Sequence, residues 1–169
     1  RHTAVIPFGG NVVTSDIQIG LNLLQKQAEL LKVKYGQAIA NEVDPNCFIS
    51  VPGLKNRPPK EVSMKNLAHI ISCRMEEIIE MVQAEIINSG FEDRMSAGIV
   101  ITGGGARLKG LKQLFELNSG LDARIGFPNE HLGKGKVEEV KSPMYATGVG
   151  LVLAGFNSID ARNKKYDSD

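Results

Sequence analysis

Apolar residues in the second third of the chain fall at helical spacing. Leu67, Ile71, Ile78, Val82 and Ile86 share one face, while Lys65, Arg74, Glu76, Glu77 and Glu80 take the other. Ser63 supplies an N-cap and Gly90 a stop, so the pattern predicts one long amphipathic helix from Ser63 to about Ser89. Elsewhere the apolar runs are short and bounded by turn residues. Thr3 to Phe8 reads as a strand ending at Gly9-Gly10. Helix-start chemistry follows between Asn11 and Asp16, with Thr14, Ser15 and Asp16 as N-cap candidates. Two helical pieces come next, the second of them ("QAELLKVKYG") closed by Gly36 as a C-cap. "CFISVPG" (47–53) reads as a strand, and "RPPKEVS" (57–63) as extended because Pro58 and Pro59 exclude helix.

The last third repeats the alternation. Ala97 to Thr102 is a continuous apolar strand, as expected where both faces of a sheet are covered. Arg107 to Asn118 reads as helix, Ala123 to Phe127 as strand and "EHLGKGKVEEVK" as a polar loop. "SPMYATGVGLVLAGF" reads as a helix capped by Ser142, with Pro143 in its first turn. Beyond Phe156 the chain turns polar and is expected to be disordered. The order strand, helix, insertion, strand, helix, strand, helix describes an α/β core interrupted between Gly36 and about Arg94. It predicts one subdomain from residues 1–36 and 95–157, an inserted α+β subdomain over 37–94, and a polar tail over 158–169.

Composition narrows the class only a little. Of 169 residues 42% are hydrophobic and 23% charged, the balance of an ordinary globular protein. A net charge of +1 gives no global argument for nucleic acid. Cys47 and Cys73 are far apart and form no C-x-x-C pair, which argues against a disulfide framework or zinc site and for a reducing compartment. No apolar run reaches membrane-spanning length. The chain opens on "RHTAVIPFGG" without Met, which reads as a strand already under way in a longer protein.

The chemistry concentrates in "GIVITGGGARLKGL" (98–111), where a strand runs into three adjacent glycines before a helix. Glycine here implies positive φ or close approach to the backbone. Ligands on α/β sheets lie at strand carboxyl ends near helix N-termini, where Gly9-Gly10 and Gly103-Gly104-Gly105 both fall. The common phosphate motifs do not fit. A Walker A loop would need Lys where Leu111 stands, and the dinucleotide fingerprint would need Gly where Leu108 stands. No G-x-S-x-G elbow is present, and His2, His69 and His131 have no metal-ligand spacing.

"GIVITGGGARLKGL" resembles the adenosine motif of the actin-like (ribonuclease H-like) ATPase superfamily, which also holds Hsp70 chaperones and sugar kinases. "TAVIPFGGNVVTSDI", "AELLKVKYG", "VPGLKNRPPKEVS" and "SPMYATGVGLVLAG" occur around it in an order similar to the bacterial FtsA cell-division family, across nearly all the chain before the polar tail. The piece corresponds to subdomains 2A and 2B of that family. The resemblance implies an ATP site formed by Gly9, Gly10, Asn11, Glu29, Lys32, Gly103, Gly104, Gly105 and Arg107. Adenosine would sit where a Cβ on Gly103 or Gly104 would collide with it, and Arg107 would flank the adenine face. Glu29 and Lys32 share a helix face and would stand at the ribose and adenine. Taken alone, these two read by default as a solvated surface pair, and Arg107 as an ordinary surface arginine near a helix start.

The resemblance also implies a partner. Subdomain 2B of the family receives the C-terminal tail peptide of the tubulin-like protein FtsZ, and Arg57, Lys60, Arg74 and Glu77 match the positions lining that site. Alone, the cations read as a solvated rim. The family's upstream phosphate loops, its Mg²⁺-organising aspartates and its C-terminal amphipathic membrane helix have no counterpart in this sequence. "NSIDARNKKYDSD" has no apolar face, so the chain either stops short of that helix or leads into it. The implied whole protein tethers FtsZ filaments to the cytoplasmic face of the bacterial inner membrane at the division site. It self-associates into filaments, with ATP as an assembly ligand rather than a fast substrate. The isolated chain is expected to be catalytically inactive. One alternative is half of a sugar-kinase-like or Hsp70-like ATPase, and another is a structural module without nucleotide.

Overall fold

A 26-residue helix organises the larger part of the molecule. In the computed structural model, which describes residues 2–53, 57–128, 132 and 139–166, helix α3 spans Met64–Ser89. The Ser63 hydroxyl accepts from the Asn66 amide at 3.3 Å, and Gly90 ends the helix in the left-handed region at φ +68°. Both boundaries follow from residues at the boundary itself. Before it lie α1 (Gly10–Leu21), α2 (Gln25–Tyr35), β1 (Phe48–Val51) and β2 (Lys60–Ser63). After it come β3 (Ile99–Ile101), α4 (Leu111–Ser119), β4 (Ala123–Ile125) and α5 (Ala146–Tyr166). Strands β1 and β2 pair antiparallel from Phe48↔Ser63 to Val51↔Lys60, and β3 and β4 form a second two-stranded sheet.

The chain divides into two units, the first built from Arg1–Ile99 with Leu108–Arg124 and the second from Val100–Arg107 with Ile125–Asp169. The first unit has a closed apolar core. Val13, Ile17 and Leu21 of α1 meet Ala28 and Leu31 of α2, Leu67 and Ile71 of α3, and Val51 and Val62 of the β1–β2 hairpin. Burying a side chain of this size stabilises by about 1.5–3 kcal/mol, so these residues fix how α1, α2 and α3 pack. Gly36 follows α2 with ordinary φ −62°, not as a left-handed cap. Its need for glycine is space, because a Cβ would collide with the Lys32 carbonyl and come within 2.8 Å of Leu108 Cδ1. In the second unit, short 3-10 turns at Gly104–Arg107 and Pro143–Tyr145 lead to α5. The Gly103 amide donates to the Pro143 carbonyl at 2.9 Å and ties the two turns together.

Several expectations are corrected. Thr3 to Phe8 forms no strand among the described residues. Apart from half-buried Ile6 the segment lies exposed, Val5 at 90%, because an apolar run becomes a strand only where a neighbour completes the ladder. Helix α1 starts at Gly10, so Thr14, Ser15 and Asp16 lie inside it; extended Gly9 is its N-cap, and the Thr14 and Ser15 hydroxyls bond back to the Gly10 and Asn11 carbonyls. Arg107 to Asn118 is not one helix: a turn through Gly110 at φ +77° separates the 3-10 segment from α4. Strand β3 is not covered on both faces, since Val100 is 50% exposed. Ser142 precedes a 3-10 turn, and its hydroxyl makes no cap bond. Helix α5 runs to Tyr166, well past Phe156, where no glycine or proline stops it. Most of the "EHLGKGKVEEVK" loop, with His131, lies outside the described residues.

Candidate functional site

Three polar side chains of the first unit converge on the opening turn of α1. Lys32, on α2, donates to the Gly10 carbonyl at 2.8 Å and to the Thr14 hydroxyl at 2.8 Å, and pairs with the Glu29 carboxylate at 2.7 Å. An ammonium has three N–H groups, so the chain itself answers all of them. The single Thr14 hydroxyl proton is shared between the Glu29 carboxylate and the Gly10 carbonyl, 3.0 Å away. Partial burial pushes the Glu29 carboxyl upward, but the hydrogen bonds from Lys32 and Thr14 and the Lys32 charge outweigh it and hold the group below its ordinary value. Glu29 therefore presents a charged acceptor with 46% of its side chain exposed. Lys32 serves as a clamp between α2 and the Gly9-Gly10 turn, and Gly10 is close enough that a Cβ would stand 3.4 Å from its ammonium. Asn11 is exposed beside this cluster.

The expected cations of the partner site are differently employed. Arg74 on α3 meets Asp16 of α1 in a fork, Nε to Oδ2 at 2.5 Å and Nη2 to Oδ1 at 3.0 Å, and its Nη1 donates to Glu77. The Asp16 hydrogen bond, ahead of the opposing effect of burial, raises the guanidinium above its ordinary value, with both carboxylate charges adding to the rise. The Phe8 ring lies 5.9 Å from the guanidinium carbon. The Lys60 ammonium donates to the Leu21 carbonyl at 2.6 Å, while Arg57 is exposed. The structure thus brings Arg74 and Glu77 together, but in a cluster whose carboxylates outnumber the guanidinium.

In the second unit the glycine turn opens onto space. A Cβ on Gly103, Gly104 or Gly105 would meet nothing within 4 Å, and Gly103 adopts φ +91°. Arg107 closes that turn and lines a cavity of about 610 Å³ with Phe127, Ser142, Met144 and Tyr145. Its Nη1 points to the Met144 sulfur at 3.7 Å. Glu139 and Lys141 also line the cavity, so its walls mix apolar surface with charged groups of both signs, a lining that suits a flat, partly polar ligand. The sequence reading missed four of the residues that matter. Thr14 and Asp16 were legible only as caps, and Met144 and Tyr145 sat in "SPMY" with no charge to mark them.

Comparison with known proteins gives this geometry a class. The fold is actin-like α/β. It is similar to crystal structures of MreB5 of Spiroplasma citri bound to ADP (20% identity, TM-score 0.66, covering 95% of this chain and 47% of that one) and to AMPPNP (18%, 0.67, 94% and 47%). The chain belongs to the family described as cell division protein FtsA, whose model matches residues 1–150. Similar relatives are FtsA of Pseudomonas aeruginosa (38% identical, covering 100% of this chain and 42% of the relative), of Neisseria meningitidis serogroup B (39%, 91% and 37%) and of Escherichia coli K12 (35%, 94% and 39%). The chain spans about two-fifths of the length of these relatives. The match sets aside the sugar-kinase and chaperone alternatives and makes this part of an actin-like cell-division protein. Among the described residues no helix is long and apolar enough to cross a membrane.

Proposed function

We propose that this chain supplies nucleotide contacts and the FtsZ-tail site of an actin-like division protein, within a subdomain pair of residues 1–36 with 95–157 and an insertion at 37–94. The observation that carries the reading is the network of Gly10, Thr14, Glu29 and Lys32. It keeps a carboxylate charged and partly exposed beside a helix N-terminus, as a sugar-hydroxyl acceptor requires. The open face of Gly103–Gly105 and the cavity that Arg107 lines with Phe127, Met144 and Tyr145 suit an adenine ring. The similar MreB5 structures are bound to ADP and AMPPNP, which adds support. Bound ATP would supply the phosphates on which assembly depends, with its Mg²⁺ held by residues outside this chain. In the whole protein, self-association and tethering of FtsZ filaments at the cytoplasmic face of the inner membrane follow from the same family reading.

ATP titrated into the ¹⁵N-labelled chain tests the nucleotide part. Weak binding is expected, with shifts confined to the amides of Gly9 to Asn11, Glu29, Lys32, Gly103 to Gly105 and Arg107, and no hydrolysis. Shifts elsewhere, or turnover by the purified chain, overturn it. The partner part is tested by titrating an FtsZ C-terminal tail peptide into wild type and Arg74→Glu. Binding that is weaker in the variant and sensitive to salt is expected. Equal, salt-independent binding rejects the assignment of Arg57, Lys60, Arg74 and Glu77.

A further inference from the structure

Helix α1 stands between the two polar clusters of the first unit. Thr14 and Asp16 are two positions apart, about 200° around a helix, so they leave α1 on nearly opposite sides. Thr14, buried, bonds Glu29 and Lys32 of α2, and Asp16 grips Arg74 of α3 through two N–H groups. Between these polar links, Val13, Ile17 and Leu21 are locked into the core that α1 shares with α2 and α3. Close-packed interiors leave little room for independent adjustment. A shift or turn of α1 against α2 therefore carries Asp16 along α3.

We infer that α1 couples the Glu29–Lys32 cluster to the Arg74–Glu77 cluster, with Thr14 and Asp16 as the positioning residues on its two sides. The two states differ in the Lys32 clamp. With the clamp closed, the ammonium holds the Gly10 carbonyl and the Thr14 hydroxyl. A ligand that draws Glu29 or Lys32 to itself removes those bonds from the first turn of α1. Asp16 follows in the next turn, and its fork sets where the Arg74 guanidinium points. A ligand at one cluster thus alters the other, and by linkage the effect is reciprocal. Its consequence for function rests on the reading of both clusters as binding sites, proposed above.

The solvent-exchange rate of the Arg74 Nε–H in the ¹⁵N-labelled chain tests the coupling without any ligand. Asp16→Asn removes a carboxylate directly and is expected to speed exchange. Thr14→Val keeps the side-chain shape but removes the hydroxyl, which bonds neither Asp16 nor Arg74. It is expected to speed Arg74 exchange about fivefold or more, the lower end of typical couplings between sites. Lys32→Met, which opens the clamp from the α2 side, provides the same test should Thr14→Val not fold. Folded variants with unchanged Arg74 exchange overturn the inference. An acidic–apolar peptide titrated into wild type and Thr14→Val separates this from the functional reading. If wild type binds and Thr14→Val binds equally well, the coupling is rejected. If wild type does not bind, the Arg74–Glu77 site is rejected, and the exchange rates alone decide the coupling.

Discussion

The two units treat their side chains differently. In the first, Ile17, Leu67, Ile71 and Ile79 are fully buried, and the charged groups of Lys32, Lys60 and Arg74 are answered inside the unit. In the second, α5 leaves Leu151, Val152, Phe156 and Ile159 exposed, and the glycine turn faces open space. The residues that hold the first unit together therefore overlap with its candidate chemistry. In the second unit they do not, so stability and ligand contact there should respond to different substitutions.

The largest expected effect follows directly. Ile71→Ala empties a fully buried position in the first unit and should cost about 2–5 kcal/mol in urea unfolding. Phe156→Ala removes a larger side chain in the second unit, yet at 62% exposure it should stay within about 0.5 kcal/mol. Comparable losses from the two would show that the second unit has packing of its own at α5.

Glycines give the next contrast. Gly98 sits at φ +75°, and a Cβ there would collide with the Asp122 carbonyl. Gly98→Ala should cost about 1–3 kcal/mol from backbone strain, with the collision in addition. Gly104 has ordinary φ and nothing near it, so Gly104→Ala should leave stability within about 0.5 kcal/mol. The same variant should weaken the ATP-dependent shifts at the glycine turn. Undiminished shifts would mean that this turn faces no nucleotide.

What the sequence revealed depended on how local each cause is. Helix α3 was legible end to end because its spacing, its Ser63 cap and its Gly90 stop lie on the segment itself. Its inner face was legible less finely, since Ile79 is buried where Ile78 was expected. The start of α1 was obscured because Thr14, Ser15 and Asp16 all have cap chemistry, while glycine backbone does the capping. Arg74 and Asp16 lie 58 positions apart, and nothing in one sequence pairs them. The Glu29–Lys32 pair was legible from i,i+3 spacing, but its clamp on Gly10 required α1 and α2 to be packed. Ser63→Ala tests the local class of cause: loss of the cap should cost about 1 kcal/mol, checked by urea unfolding. A neutral result would mean that the hairpin, not the cap, fixes where α3 begins.

The smallest effect concerns Glu29, where stability and candidate chemistry coincide. Against the upward push of partial burial, hydrogen bonds from Lys32 and Thr14 and the Lys32 charge hold its folded carboxyl below the ordinary glutamate value. A group with a depressed folded pKa stabilises fully above its unfolded pKa and loses that contribution as pH falls through the folded pKa. The stabilisation by charged Glu29 should thus be intact at neutral pH and fade in acid. Because the side chain is 46% exposed, solvent screening limits it to under about 1 kcal/mol. Glu29→Gln removes the titration while keeping the shape. The difference in unfolding free energy between wild type and Glu29→Gln should favour wild type at pH 7 and shrink as pH falls through the folded pKa. A difference that persists in acid would mean that the carboxylate charge is not what holds the Lys32 clamp closed, and that packing of α1 against α2 holds it instead.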